Sequence, residues 1–157
     1  MTGNSLNLSS SLEDYLEAIL DLYEQNGRVR TTDLGASLHV EKSSVNSAVN
    51  KLKNFKLVEH EKYEDIRLTA RGENEARRVK KRHEIIFKFL HVFLGVTESE
   101  AKKDACRIEH AAGPVTIYKL SKFIEYIEMH PLLNNEKWFS SFSAFAGKNN
   151  FSDTPDL

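Results

Sequence analysis

Residues 31–69, TTDLGASLHVEKSSVNSAVNKLKNFKLVEHEKYEDIRLT, decide the fold of this 157-residue chain. TTDLGASLHV reads as a short helix starting near Thr31 or Thr32, polar residues suited to a helix N-terminus, with Leu34 and Leu38 turned inward. EKSSVNSAVNKLKNF follows almost at once, and Val45, Val49 and Leu52 form an apolar stripe along a second helix. LVEH and IRLT then show the alternation and β-branching of two short strands, with the polar EKYED between them, which predicts a β-hairpin. Two short helices followed by a hairpin make a winged helix-turn-helix, a unit whose second helix enters the major groove of DNA.

On that second helix, Ser43, Asn46 and Ser47 are small and polar, so the backbone can approach closely while they reach base edges or thymine methyl groups. Lys42, Ser44, Lys51 and Lys53 are better placed for phosphates, as are Lys62 and Arg67 on the hairpin; such contacts set register and add affinity. The same helix pair also serves elsewhere as a protein-contact module, and Ser, Asn and Lys are ordinary on a solvated helix. Charge favours DNA. The formal net charge is -1, but residues 28–82 hold 14 Lys and Arg against 8 Asp and Glu, and the remainder holds 8 against 15. One segment can meet phosphate while the rest limits non-specific attraction.

Working outward, SLEDYLEAILDLYEQNG, residues 11–27, places Leu12, Tyr15, Leu16, Ile19 and Tyr23 at helical spacing and ends on Gly27. The opposite face carries Asp14, Glu17, Asp21 and Glu24. After the hairpin, Ala70 to Leu94 reads as one long helix with a basic start, RRVKKRH, and Ala76, Val79, His83, Ile86, Phe87, Leu90 and Leu94 at spacings of three and four. Helices over about 97–112 and 115–129 follow, the latter with Ile117, Leu120, Ile124 and Ile127 on one face and Pro131 as its stop. The Ser-, Asn- and Phe-rich remainder either docks through its aromatics or stays mobile.

With 40% hydrophobic residues and nine Phe the chain can build an ordinary core. No run approaches the roughly 20 apolar residues of a membrane span, and MTGNSLNLSSS lacks the basic start and apolar centre of a signal peptide, so a cytoplasmic protein without membrane partners is expected. Its single cysteine, Cys106, excludes an intramolecular disulfide framework; in a reducing compartment it serves as a thiolate ligand or nucleophile, or is an inert buried residue.

Cys106 belongs to CRIEH, residues 106–110, where Cys106, Glu109 and His110 stand at i, i+3 and i+4 and share one helical face. Thiolate, carboxylate and imidazole together suit a borderline transition ion such as Fe(II), Co(II), Ni(II) or Zn(II) better than Mg(II) or Ca(II). Taken alone, a cysteine and a histidine at this spacing in a core helix are structural more often than metal-binding, and the glutamate can simply face water.

From Leu12 to Pro131, in order through SLEDYLEAIL, the helix-turn-helix, the wing, RHE and DACRIEH, the chain resembles the diphtheria-toxin-repressor and manganese-transport-regulator (DtxR/MntR) family of metal-dependent repressors. The resemblance puts Asp14, Glu17, His83, Cys106, Glu109 and His110 at metal-ligand positions. Asp14, Glu17 and His83 look like the manganese branch, whereas Cys106 stands where that branch has glutamate and the iron branch has cysteine. Phe87 and Lys102 occupy the positions of the iron branch's ancillary ligands, so that second site is expected to be absent in its usual form. One dominant site per subunit is expected around Asp14, Cys106, Glu109 and His110, with Glu17 and His83 completing it or forming a weaker second site.

The resemblance implies a mainly α protein: a winged helix-turn-helix DNA-binding domain over 1–72, a helical metal-binding and dimerisation domain over 73–138 and a C-terminal tail over 139–157. It further implies a homodimeric repressor that binds double-stranded operator DNA when loaded with Fe2+ or Mn2+, with Co2+, Ni2+ or Zn2+ acceptable in vitro, and that controls metal-uptake genes. A shared ion would link the first helix to the later ones and set the orientation of paired reading helices, about 34 Å apart on successive major grooves. The alternative is a winged-helix regulator with an organic ligand, whose response would survive alanine at Cys106 and His110. An enzyme is not expected, because the chain shows no recognised nucleophile or phosphate-loop arrangement and no site for an organic substrate.

Overall fold

A computed structural model describes residues 8–61, 64–130 and 135–148. The chain divides into two units, Met1–Lys80 and Lys81–Leu157.

In the first unit, α1 spans Ser10–Asn26. It opens at Ser9, whose hydroxyl accepts the Leu12 N–H, and closes at Gly27, where φ of 70° turns the N–H back to the Tyr23 carbonyl. Glycine takes this left-handed geometry without the steric cost a Cβ would bring. α2 (Thr31–Leu38) and α3 (Lys42–Asn54) follow, joined through His39, itself left-handed at φ 55°. Leu16, Ile19, Leu34, Val45, Val49, Leu52, Leu57 and Ile66 are almost wholly buried in one core.

The hairpin is shorter than LVEH and IRLT suggest: β1 is Val58–Glu59 and β2 is Arg67–Leu68, paired antiparallel with Val58 opposite Leu68 and Glu59 opposite Arg67. The flanking backbone groups are engaged elsewhere. The Leu57 N–H goes to the Leu52 carbonyl at the end of α3, and the Ile66 N–H goes to Val29 O at 2.8 Å. Thr69 caps the next helix, its hydroxyl donating to the carbonyls of Lys56 and Leu57 and accepting the Gly72 N–H at 3.0 Å. A Cβ on Gly72 would lie 1.8 Å from Leu57 O, so this junction of hairpin and helix requires glycine.

That helix, α4, spans Ala70–Lys88, and the division between the units falls within it. Instead of running on unchanged to Leu94, it widens into a π turn over Phe89–Phe93, where the Leu94 N–H reaches back to Phe89 O at 3.1 Å. α5 (Glu98–Ala111) begins at Thr97, whose side chain accepts the Glu100 N–H, and α6 (Pro114–Met129) has proline in its first turn. Proline suits that position because its missing N–H would have no helical partner there. Ile86, Ala105 and Ile117 form one small core of this unit, and Phe93, Ile124 and Ile127 another.

A further helix, α7 (Asn135–Lys148), lies where the sequence reading left an unassigned end. Trp138 docks it: the indole N–H donates to Phe93 O at 3.1 Å, and the ring meets Phe93 and Phe123 edge-on. Among the described residues, no helix is long and apolar enough to cross a membrane.

Candidate metal centre and DNA-reading face

The inward stripe of α5 consists of Ala101, Ala105 and Glu109, four residues apart. Glu109 is 1% exposed, the single buried charged side chain among the described residues. Carboxylates are seldom buried so fully without a partner. One oxygen, Oε2, lies within hydrogen-bonding distance of His83 Nδ1 on α4, at 2.9 Å. The other, Oε1, has no hydrogen bond and lies 3.5 Å from His110 Nε2.

Cys106, Glu109 and His110 each place a ligand atom within 4.8 Å of the others, with Cys106 exposed and His110 partly buried. Ligands at about 2.0–2.3 Å from a common ion need only small rotations from such spacing. A buried carboxylate oxygen lacking a hydrogen bond, beside a thiol and an imidazole, fits a borderline divalent ion.

His83 stacks on Phe87, with centroids 6.5 Å apart and planes at 7°, and Phe87 in turn stacks on His91. Lys102 pairs with Glu98 at 2.6 Å. Phe87 and Lys102, the two positions matched to the ancillary site, thus carry a ring stack and an ion pair.

On α1, Asp14 and Glu17 are half-buried and share their face with Asp21 and Glu24. The far end of that face is neutralised from α4: Lys80 Nζ donates to Asp21 at 2.6 Å and to Glu24 at 2.8 Å, and Arg77 reaches Glu24 at 3.2 Å. Hydrogen bonds to Asp21 and Glu24 push the Lys80 ammonium above its usual range, and the Lys80 hydrogen bond holds the Glu24 carboxyl below its own. On the acidic face of α1, Asp21 and Glu24 thus carry cations supplied by α4.

α3 buries Val45, Ala48, Val49 and Leu52 and exposes Lys42, Ser43, Ser44, Asn46, Ser47 and Lys51. Lys53 is also exposed, but its ammonium is engaged with Glu61 at 2.8 Å and the His60 carbonyl at 2.9 Å, tying the end of α3 to the hairpin. Arg67 is exposed on β2, and Lys62 lies outside the described residues. Ser9 and Ser11 share a shallow depression of about 420 Å³ with Ser43, Ser44, Ser47 and Lys51. The sequence reading did not place these two serines beside the reading helix.

The iron-dependent repressor family matches in two consecutive stretches, its N-terminal DNA-binding domain over residues 7–66 and its metal-binding and dimerisation domain over 69–136. The chain is also 37% identical over 119 residues to an uncharacterised HTH-type transcriptional regulator of Methanocaldococcus jannaschii, covering 75% of this chain and 95% of that relative. This chain belongs to the DtxR/MntR family of metal-dependent transcriptional regulators. Within the family, it is 35% identical over 118 residues to the regulator MntR of Bacillus subtilis, covering 75% of this chain and 82% of MntR. The solved structure of the manganese regulator SloR superposes with a TM-score of 0.66 at 29% identity, covering 76% of this chain. The match takes in 56% of SloR, so the chain spans about half the length of that solved structure. Most of α7 lies beyond the family match, which ends at residue 136.

Proposed function

We propose that this chain is a homodimeric repressor that binds operator DNA when loaded with Fe2+ or Mn2+ and controls genes for uptake of the sensed metal. The observation that carries the metal dependence is Glu109, a buried carboxylate with one oxygen lacking a hydrogen bond beside Cys106 and His110. Asp14 and Glu17 on α1 are the proposed ligands from the first unit; Cys106, Glu109 and His110, with His83 close by, are those from the second. When bound, the cation supplies the positive charge that a thiolate and several carboxylates need in order to stand together. Shared coordination from both units would restrict the orientation of α3 relative to the dimerisation helices, so that DNA affinity and metal affinity rise together by linkage.

Lys42, Ser43, Ser44, Asn46, Ser47 and Lys51 form the proposed contact surface on α3, with Lys53, Lys62 and Arg67 contributing phosphate contacts from around the wing. For the dimer, α6 has a second apolar stripe opposite its buried Ile117, Ile124 and Ile127. Val115, Tyr118, Tyr126 and Met129 are all more than half exposed and recur at helical spacing. A second copy is the proposed cover, with the two-fold axis repeating the reading helix about 34 Å away.

Iron and manganese both remain in the proposal, because the matched family is named for iron and the SloR neighbour for manganese. The test is duplex binding under anaerobic conditions. DNA selected from a random library with Mn2+ or Fe2+ present should lose most of its affinity when the metal is chelated. Equal binding in both conditions would remove the metal switch.

A further inference from the structure

Lys53, grouped above with the phosphate contacts, is already engaged within the protein. We infer that Lys53 and Arg28 are positioning residues for DNA binding: their cations clamp the turn of the wing through Glu61 and Asp65, and so set the pose in which Arg67 meets a phosphate. This rests on the DNA-reading face proposed above and assigns roles within it.

The hairpin is too short to hold that pose by itself. β1 and β2 are two residues each, and their ladder stops at Glu59 opposite Arg67. Isolated two-stranded hairpins are marginal in water even at greater length. Beyond the ladder, side chains from other elements fix the chain on both its exit and its return. On the exit, Lys53 Nζ, in the last turn of α3, donates to the His60 carbonyl at 2.9 Å and to Glu61 Oε1 at 2.8 Å. That second bond holds the Glu61 carboxyl below the usual carboxylate range. On the return, Arg28 donates to Asp65 Oδ1 at 3.2 Å, and the next residue, Ile66, gives its N–H to the Val29 carbonyl at 2.8 Å. Between the two ties, the Glu64 N–H closes a turn on the Glu61 carbonyl at 3.0 Å. Lys51, in the same turn of α3 as Lys53, and Arg67 on β2 have no such partner among the described residues, and both are exposed. The wing's cations thus fall into two sets, one paired to carboxylates of the fold and one open to solvent. Side-chain exposures are 45% and 72% for Lys53 and Glu61, and 51% and 32% for Arg28 and Asp65, so each tie is partly screened by water and shifts an equilibrium by about 2–5-fold.

The experiment uses the full chain, read by amide exchange in the free protein and by duplex binding at several salt concentrations. Breaking one tie with Lys53→Met or Glu61→Gln should speed exchange of the Glu64 amide by about 2–5-fold, and the swapped pair, Lys53→Glu with Glu61→Lys, should restore it. Arg28→Met should speed exchange at Ile66 to a similar extent. Lys51→Met removes the same charge from the same turn of α3 and should leave both amides unchanged. On a duplex selected from a random library, Lys53→Met should lower affinity by about 2–5-fold. The slope of log affinity against log salt should stay unchanged, because a cation paired to a carboxylate of the fold displaces no counterion from DNA.

A slope less negative by about 0.9 for each protomer in Lys53→Met would make Lys53 a phosphate contact and overturn the inference. Unchanged exchange at Glu64 in both single variants, or a swapped pair no better than either, would overturn it without any DNA. If the parent protein selected no duplex at all, the reading of α3 and the wing as the DNA face would fail, and the positioning role with it.

Discussion

Cys106 and Glu109 stand one helical turn apart on α5 in opposite surroundings, the thiol exposed and the carboxylate buried. Their substitutions should separate accordingly. Cys106→Ala is expected to leave the stability of the metal-free protein within about 0.5 kcal/mol, as surface changes usually do, while reducing the stabilisation that metal confers. Thermal unfolding with and without Mn2+ checks both halves; a ligand at 100 times its dissociation constant adds about 2.7 kcal/mol to the parent protein. Glu109→Gln removes a buried charge but keeps a hydrogen-bond acceptor for His83, so the metal-free variant should be no less stable than the parent. Its metal-induced shift should nevertheless vanish, and an undiminished shift would take Glu109 out of the ligand set. The grouping of Cys106 with Glu109 and His110 was legible in their spacing. The burial of Glu109 was not, because periodicity offers a glutamate to solvent by default and its partner His83 is 26 residues away.

At the scale of elements, sequence periodicity predicts α1 to α6 and the hairpin because each carries an apolar stripe or an alternation that a neighbour buries. The π turn escaped it, since Phe89, Val92 and Phe93 read as one more turn of an amphipathic helix and the widened hydrogen bonding leaves no compositional trace. For α7 the Ser-, Asn- and Phe-rich composition leaves docking through aromatics and mobility both open, and what decides is the docking of Trp138 against Phe93 and Phe123. Trp138→Phe keeps a ring but deletes the donor to the Phe93 carbonyl, so urea unfolding should show a loss of about 0.5–1.5 kcal/mol. The ion network joining α1 to α4 makes a pH-dependent prediction. Because Lys80 holds the Glu24 carboxyl below its ordinary range, the resulting stabilisation is fully present above the unfolded carboxyl's pKa and is lost as pH falls through the lower folded value. The ammonium, raised above its range by Asp21 and Glu24, loses its contribution only at strongly alkaline pH. Lys80→Met should therefore lower the melting temperature at pH 7, by an amount that shrinks steadily below about pH 4.5.

For the whole molecule, the relevant fact is a nearly neutral chain that keeps its positive charge in one stretch, 14 Lys and Arg against 8 Asp and Glu over residues 28–82. Such a distribution makes DNA affinity depend on a few phosphate contacts rather than on a general attraction, and salt dependence counts those contacts. Lys51 is exposed at the end of α3, beside the depression lined by Ser43, Ser44 and Ser47. If it meets a phosphate, Lys51→Ala removes one contact per protomer, and the slope of log affinity against log salt should become less negative by about 0.9 for each, or roughly two in a dimer. Affinity should drop by a similar factor on every sequence. Asn46→Ala should behave oppositely: the slope stays unchanged, while discrimination at one base pair falls by about 1–3 kcal/mol. Binding isotherms at several salt concentrations on selected and scrambled duplexes measure both effects. If Lys51→Ala altered sequence preference and Asn46→Ala altered only the slope, the assignment of bases and phosphates along α3 would have to be reversed; if neither variant changed binding, α3 would not be the reading helix.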